Sequence, residues 1–150
     1  CQMNDHEYMA LAIKEAEKSL NLGEVPVGAV IVYEDTVIAA GHNLCESTKD
    51  PTDHAEIIVI KKASKVLKNW RLTGCTLYVT IEPCPMCAGA IINARIPRVV
   101  YGSPNLQNGG IDSKFHIAES TLNHTVSITR NIQSDECKKL MDLFFLIHRA

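Results

Sequence analysis

The sequence lacks the long apolar run that a membrane span requires. No stretch of its 150 residues approaches the roughly 20 consecutive apolar residues of a transmembrane helix. Residues 1–7 also lack the basic and then apolar pattern of a secretory signal. We therefore expect a soluble, cytoplasmic protein with no membrane partner.

An excess of basic residues is also absent. The formal net charge is −2 and the pI is near 6.3, which counts against a strongly basic nucleic-acid-binding chain but leaves room for local patches. The sequence contains no internal repeat and no linker. A length of 150 residues with 46% hydrophobic content therefore predicts a single domain, residues 1–150, around one core.

Strand and helix patterns alternate along the chain. The predicted elements are a helix between a cap at Asn4 or Asp5 and Gly23, strands at 25–33 and 36–40, a helix from near His54, a strand at 76–81, a helix introduced by Pro83, a strand at 99–101, a short helix at 113–119, a strand at 126–128 and a final helix from Ser134 onward. The two-residue connection Glu34-Asp35 indicates a hairpin. This order predicts an α/β sandwich around a central sheet.

Two short stretches carry chemistry, and each stands where a helix is predicted to begin: His54-Ala55-Glu56 and Pro83-Cys84-Pro85-Met86-Cys87. Cysteines three apart lie on one face of a first helical turn, where the helix dipole and the free amides favour thiolates. Two thiolates and one imidazole leave the fourth position of tetrahedral zinc open for water. His54, Cys84 and Cys87 are therefore predicted to hold one catalytic Zn²⁺ per chain.

Glu56 is the candidate catalytic residue, because a carboxylate beside the metal could take a proton from water and return it to a leaving nitrogen. The spacing from Asp53 to Glu56 is also that of a capping box, so Glu56 alone would more often be a helix cap. The presence of both stretches in one chain favours a catalytic role for Glu56. His-x-Glu followed by Pro-Cys-x-x-Cys is the signature of zinc nucleobase deaminases.

The remaining cysteines bear on the competing interpretations of the Cys-x-x-Cys pair. Alone, that pair could be a redox pair or half of a structural zinc site. A structural site needs a fourth Cys or His, but Cys45, Cys75 and Cys137 show no second metal-ligand spacing. We expect these three to be ordinary reduced thiols.

Further motifs extend the pattern over nearly the whole chain. These motifs lie in the following segments, in which a few single positions are not part of the motif: 24–30, 42–43, 50–56, 76–90, 95–102, 122–124, 136–137 and 144–145. In these segments the chain resembles the bacterial-type tRNA-specific adenosine deaminases, of the cytidine/deoxycytidylate deaminase superfamily. The resemblance implies a cytidine-deaminase-like three-layer α/β/α sandwich with a mixed central sheet of about five strands, and a homodimer.

The resemblance also implies a reaction and a set of substrate contacts. The partner would be a tRNA anticodon stem-loop, whose wobble adenosine is flipped into the site and converted to inosine by zinc-hydroxide attack at C6. Asn43 would hydrogen-bond the purine or its ribose, and Val25 and Val27 would flank the base. Without the resemblance, Asn43 would be a turn residue and the two valines would be core residues.

The chain departs from the family pattern in the loop at 104–110. Family members often carry Asp and then Lys there, whereas this loop has Asn105 and Gln107. A carboxylate at that point could accept a hydrogen bond from a ribose 2′-hydroxyl, so Asn105 is predicted to bind substrate but to discriminate less between RNA and DNA. Arg95 and Arg98 are candidates for phosphate contacts.

Two other functions remain open at this point. One is a free-base guanine or cytosine deaminase, because the middle of Pro83-Cys84-Pro85-Met86-Cys87 is shared with those enzymes. The other is a non-enzymatic zinc-binding module, which would need no Glu beside the metal. The sequence favours the tRNA adenosine deaminase over both.

Overall fold

The computed structural model describes residues 3–117 and 126–147, which form five helices and five strands. In chain order these are α1 (Asp5–Asn21), β1 (Gly28–Tyr33), β2 (Thr36–His42), α2 (Cys45–Thr48), α3 (Ala55–Leu67), β3 (Cys75–Ile81), α4 (Pro85–Asn93), β4 (Arg98–Ser103), β5 (Ser127–Thr129) and α5 (Ser134–Ile147). Within these ranges, no helix combines the length and the apolar character needed to cross a membrane.

The strands form one mixed sheet in the order β2-β1-β3-β4-β5. Strand β1 pairs antiparallel with both β2 and β3, while β3 with β4 and β4 with β5 are parallel. Glu34 and Asp35, between β1 and β2, have φ values of 49° and 60°. These left-handed conformations match the twist of a tight two-residue turn, so the predicted hairpin is confirmed.

Helices cover both faces of the sheet. Ile31, Leu77 and Val99 point to one face and pack with residues of α3 and α4. Val30 and Val100 point to the other face and pack with residues of α1 and α5. Because side chains alternate along a strand, the central strands are buried on both faces. The predicted α/β/α sandwich with a five-stranded mixed sheet is confirmed.

Helix α1 begins at the predicted cap. The Asn4 side chain accepts a hydrogen bond from the Glu7 amide at 2.9 Å, and the Glu7 carboxylate accepts one from the Asn4 amide at 3.2 Å. This reciprocal capping box satisfies two amides that the helix leaves unpaired. The helix ends before Gly23, whose φ of 77° favours glycine.

Two predicted elements differ from the structure. The strand predicted from Val25 begins only at Gly28, because the Val27 amide donates to the Val25 carbonyl in a tight turn. The helix predicted at 113–119 does not form over the described residues 113–116, and residues 118 and 119 lie outside the described ranges. The amides of Lys114 and Phe115 both donate to the Gly109 carbonyl instead of to helical partners.

Gly28 allows β1 to approach α1 closely, because a Cβ at this position would overlap the Ala12 carbonyl oxygen and the Ala16 amide nitrogen. We expect Gly28→Ala to lower the free energy of unfolding by about 2–3 kcal/mol, measured by urea denaturation. Gly89→Ala is the matched control, since a Cβ there has no neighbour within 4 Å. It should be neutral or stabilising by up to about 1 kcal/mol. Equal losses in both variants would contradict the close approach.

Asp5 joins α1 to β4 through an ion pair with Arg98 at 2.6 Å. The hydrogen bond from Arg98 holds the pKa of Asp5 below its ordinary value. A lowered carboxyl pKa contributes stability above the unfolded pKa, and this contribution is lost as the pH falls through the folded pKa. We therefore expect Asp5→Asn to lower the free energy of unfolding by about 1 kcal/mol at pH 7, because solvent screens this partly exposed pair. The loss should become progressively smaller below about pH 4.

Chemical denaturation of the wild type and Asp5→Asn across this pH range measures that difference. The control is Asp142→Asn, which breaks the exposed pair of Lys138 and Asp142 within α5. Its effect should stay below about 0.5 kcal/mol at every pH. A cost for Asp5→Asn that does not change between pH 7 and pH 3 would show that the ion pair contributes nothing.

Candidate active site

Three potential metal ligands converge where two helices begin. His54 is the N-cap of α3, Cys84 is the N-cap of α4, and Cys87 lies in the first turn of α4. Pro85 occupies the first helical position, which its fixed φ favours. The His54 Nδ1 atom lies 3.6 Å from the Cys84 Sγ atom and 3.5 Å from the Cys87 Sγ atom. The structure thus brings the three predicted ligands together, and their binding of a metal stays a prediction.

The spacing of these three atoms suits a zinc ion. Zn–S bonds of about 2.3 Å and Zn–N bonds of about 2.0 Å at the tetrahedral angle place sulfur and nitrogen about 3.5 Å apart. The observed distances match that value. Among the described residues the group has three members, with all ligand atoms within 4.8 Å of one another. His54, Cys84 and Cys87 could therefore hold a metal ion and leave one coordination position open.

The two thiols of the group differ in protonation. Hydrogen bonds from Cys87 and His54 lower the pKa of Cys84 to about 4, against the effect of burial. The hydrogen bond to Cys84, together with burial, raises the pKa of Cys87. The hydrogen bond with Cys84 also raises the pKa of His54. The lowered pKa of Cys84 favours its thiolate, which is the form that binds metals.

Glu56 lies beside this group, on the first turn of α3, and its side chain is 4% exposed. Burial raises its pKa to about 7, and its carboxyl group hydrogen-bonds with Cys87. The capping-box alternative is wrong, because the N-cap is His54 and no side chain caps the helix. Asp53 instead accepts a hydrogen bond from the Thr48 hydroxyl at 2.6 Å. A carboxyl group with a pKa near 7 can both accept and donate a proton.

A cavity of about 180 Å³ opens onto His54, Glu56 and Cys84. This volume is below the roughly 300 Å³ at which pockets for drug-sized ligands begin, so it suits one small ring system. The cavity wall includes all four residues predicted to bind substrate, which are Val25, Val27, Asn43 and Asn105. Their contacts with a substrate stay a prediction.

Asn43 links the segment before β1 to the segment after β2. Its side-chain amide donates to the Val25 carbonyl at 3.3 Å, and its side-chain oxygen accepts from the Cys45 amide at 3.3 Å. The second bond is the local turn expected of an Asn after a strand. Asn43 therefore has the predicted turn geometry and also faces the cavity. Both of its side-chain bonds are longer than the usual 2.9–3.0 Å.

Asn105 lies on a loop that folds around Glu82, a residue to which the sequence analysis gave no role. The Asn105 amide donates to Glu82 at 3.1 Å, and the Asn105 side chain accepts from the Asn108 amide at 3.0 Å. Burial acts to raise the pKa of Glu82, but its hydrogen bonds lower it overall. The signal in the sequence was a carboxylate placed directly between a buried strand and Pro83.

A second cleft of about 600 Å³ adjoins the cavity and shares Val25, Ile81, Asn105 and Met141 with it. Its other walls are the loop after β4 and the exposed side of α5, namely Ser103, Pro104, Leu106, Gln107, Asn108, Lys138, Asp142 and Phe145. Met141 is a second residue that sequence reasoning missed, since it falls in an ordinary helical pattern. The cleft gives room for groups attached to a ring in the cavity.

The two arginines predicted to contact phosphate lie away from the cavity. Arg98 is engaged by Asp5 and also donates to the Thr129 hydroxyl at 3.1 Å. Arg95 follows α4 at the end opposite the cysteines, donates to the Ile92 carbonyl and lies 5.6 Å from the Trp70 ring centre. Neither side chain lines the cavity or the adjoining cleft.

Comparison with known proteins gives matches over nearly the whole chain. Residues 3–149 match the MafB19-like deaminase family. The tRNA-specific adenosine deaminase of Streptococcus pyogenes serotype M1 is 46% identical over 139 residues, which cover 92% of this chain and 81% of that protein.

Two solved structures are also similar. One, from a study of A-to-I editing by tRNA:A34 deaminases at the wobble position of transfer RNA, is 38% identical with a TM-score of 0.86, and the match covers 89% of this chain and 98% of that chain. The other is a guanine deaminase from Bacillus subtilis, which is 43% identical with a TM-score of 0.65, and the match covers 68% of this chain and 66% of that chain. The resemblance noted in the sequence is confirmed.

Proposed function

This chain belongs to the MafB19-like deaminase family, and we propose that it hydrolyses the wobble adenosine of a tRNA anticodon to inosine. One observation carries the chemistry: the buried Glu56 and two members of the His/Cys/Cys group, His54 and Cys84, face the same small cavity. The substrate is taken from the relatives, which are named for tRNA adenosine and for A-to-I editing of tRNA. A homodimer and a cytoplasmic location belong to the same proposal.

His54, Cys84 and Cys87 are proposed to hold one Zn²⁺ per chain. The soft thiolates and the imidazole are ligands that suit zinc, and the sulfur–nitrogen distances of 3.5 and 3.6 Å fit its tetrahedral geometry. When bound, zinc supplies Lewis acidity that lowers the pKa of a coordinated water to about 7. Cys87, in the first turn of α4, is the buried member of the group.

Glu56 is proposed to move the protons of the reaction. Its buried carboxylate accepts a proton from the attacking water and then donates it to the departing amino group, which leaves as ammonia. A pKa of about 7 serves both steps, because neither protonation state is strongly favoured at neutral pH. Its position on the rigid first turn of α3 keeps the carboxyl group beside the reacting atoms.

The cavity walls are proposed to hold the base of a flipped nucleotide. Val25 and Val27 offer apolar contact to the faces of the ring, and Asn43 offers an amide to its polar edge. The cavity is too small for more than the base, so the nucleotide must leave its stack to enter. Asn105 lies where the cavity meets the second cleft and is proposed to contact the ribose.

The second cleft favours a base in RNA over a free base. A free guanine or cytosine would need only the cavity of about 180 Å³, whereas the adjoining cleft of about 600 Å³ can receive the sugar and neighbouring nucleotides. The similarity to a guanine deaminase keeps free-base deamination as the alternative to be tested. Glu56 beside the metal group argues against a non-enzymatic module.

Removal of one proposed ligand tests the metal site. We expect Cys84→Ser to lose zinc on dialysis, with metal affinity reduced by at least about 100-fold, because a hydroxyl is a poor replacement for a thiolate. Inductively coupled plasma mass spectrometry gives the zinc content per chain. Cys45→Ser is the matched control, since Cys45 is half-buried and hydrogen-bonds the Pro51 carbonyl. Full zinc content in Cys84→Ser would reject the ligand assignment.

The reaction is tested with zinc-loaded protein on an anticodon stem-loop that carries a wobble adenosine, and in parallel on free guanine, cytosine and adenine. We expect inosine in the RNA only, measured by mass spectrometry of digested product. Glu56→Gln should retain zinc but lose activity by about 10²–10⁴-fold, because it cannot carry the proton. The same hairpin with a deoxyadenosine measures how strictly the chain selects RNA, given Asn105.

Two outcomes would count against the proposal. Deamination of a free base with inert RNA would replace it by the free-base alternative. Full RNA activity in Glu56→Gln would remove Glu56 from the reaction, whichever substrate is used.

A further inference from the structure

Glu82 is a buried carboxylate that binds both ends of one loop. It lies between β3 and α4 and is 2% exposed. One carboxylate oxygen accepts from the Asn105 amide at 3.1 Å and from the Ser113 hydroxyl. The other accepts from the amides of Ile111, Asp112 and Ser113 at 3.1, 2.7 and 3.0 Å. All five donors belong to residues 105–113, which we call the Glu82 loop.

The Glu82 loop also lies directly on the start of α4. A Cβ at Gly109 would overlap the Glu82 carboxyl group, and a Cβ at Gly110 would lie 2.8 Å from the Cys84 carbonyl carbon. The Gly110 amide donates to the Pro83 carbonyl at 2.7 Å. Both glycines thus allow a contact that a side chain would prevent. The loop is wrapped around the carboxylate and seated against the backbone that carries Cys84.

Burial of a carboxylate is costly unless hydrogen bonds replace its water. None of the hydrogen bonds to Glu82 comes from Lys or Arg among the described residues, so the five loop donors are what offsets its burial. Charge-assisted bonds of this kind are stronger than neutral ones. The loop conformation and the buried charge therefore depend on each other.

We propose that Glu82 is a positioning residue that fixes the Glu82 loop and so holds Asn105 at the junction of the cavity and the cleft. This inference rests on the proposed function, because the substrate it concerns is the RNA nucleotide. Glu82 sets how well that nucleotide is bound and leaves the proton transfer unchanged. Its hydrogen bonds lie in the loop, whereas Glu56 and His54 are held by α3.

A Glu82→Gln substitution separates one loop contact from the others. Gln can turn its remaining oxygen toward the amides of 111–113, which places its NH₂ group opposite Asn105 and Ser113. The Ser113 hydroxyl can rotate to accept, but the Asn105 amide can only donate. The substitution therefore leaves the loop anchored at 111–113 and releases it at Asn105.

The experiment uses the zinc-loaded full chain and three measurements, which are amide hydrogen exchange, zinc content, and kcat and KM on the anticodon stem-loop. In Glu82→Gln we expect exchange of the Asn105 amide to rise by about tenfold or more. KM should rise by about tenfold while kcat changes by less than about threefold, since substrate binding alone is affected. Zinc content should remain unchanged.

Two further variants keep the test sharp. Glu24→Gln is the matched control, because Glu24 is a second buried carboxylate that accepts from the amides of Glu46 and Ser47. It should speed exchange at residues 46 and 47 and leave residue 105 unchanged. Ser113→Ala removes one donor and keeps the carboxylate, so exchange at Asn105 should rise by only about threefold.

Unchanged exchange at Asn105 in Glu82→Gln would overturn the inference, as would a loss of kcat as large as the rise in KM. An equal rise at residue 105 in Glu24→Gln would also overturn it, because general loosening would then explain the effect. Failure of the wild type to deaminate RNA would reject the proposed function instead, and the exchange rates at residue 105 would still decide whether Glu82 positions the loop.

Discussion

Strand β1 pairs antiparallel with both β2 and β3, so the last residues of β2 and β3 lie beside the first residues of β1. Strand β4 is parallel to β3 and terminates at the same end of the sheet. Four segments of the chain therefore lie close together at this end. The loop and helix after β2 carry His54 and Glu56, and the segment after β3 carries Cys84 and Cys87. The segment before β1 carries Val25 and Val27, and the loop after β4 carries Asn105. Hydrogen bonding between strands therefore brings the segments of the site together.

The pKa values of two buried carboxylates at this end of the sheet, Glu56 and Glu82, are shifted in opposite directions. Burial dominates at Glu56, so its pKa rises to about 7 and it can exchange protons near neutrality. Glu82 is also buried, but five donors from one loop stabilise its charge and its pKa is lowered. Hydrogen-bond donors oppose the effect of burial at Glu82, which suits structural anchoring, whereas burial dominates at Glu56, which suits proton transfer.

Local spacing was enough to predict the metal group and most of the fold. His54, Cys84 and Cys87 could be identified because ligand spacing and helix starts are local properties of the sequence. The alternation of strands and helices predicted an α/β sandwich, and the family resemblance implied its three layers. The two motifs together already favoured catalysis for Glu56, but the exclusion of a capping box needed the structure, because it depends on which residue is the N-cap. Glu82 was missed because its partners lie 23 to 31 residues away. The helix predicted at 113–119 was wrong over residues 113–116 for a related reason. The Ser113 amide donates to the distant Glu82, and the amides of Lys114 and Phe115 donate to the Gly109 carbonyl.

The walls of the second cleft come from parts of the chain that supply none of the proposed metal ligands or the proton carrier. The loop after β4 and the outer side of α5, with Met141 and Phe145, form most of it, whereas the chemistry lies between residues 54 and 87. Substitutions of the side chains that face this cleft, such as Leu106, Gln107 and Phe145, can therefore accumulate without altering the reacting groups. In evolutionary terms, the lining of this cleft and the His/Cys/Cys group are separately variable, so related sequences can keep the one and change the other.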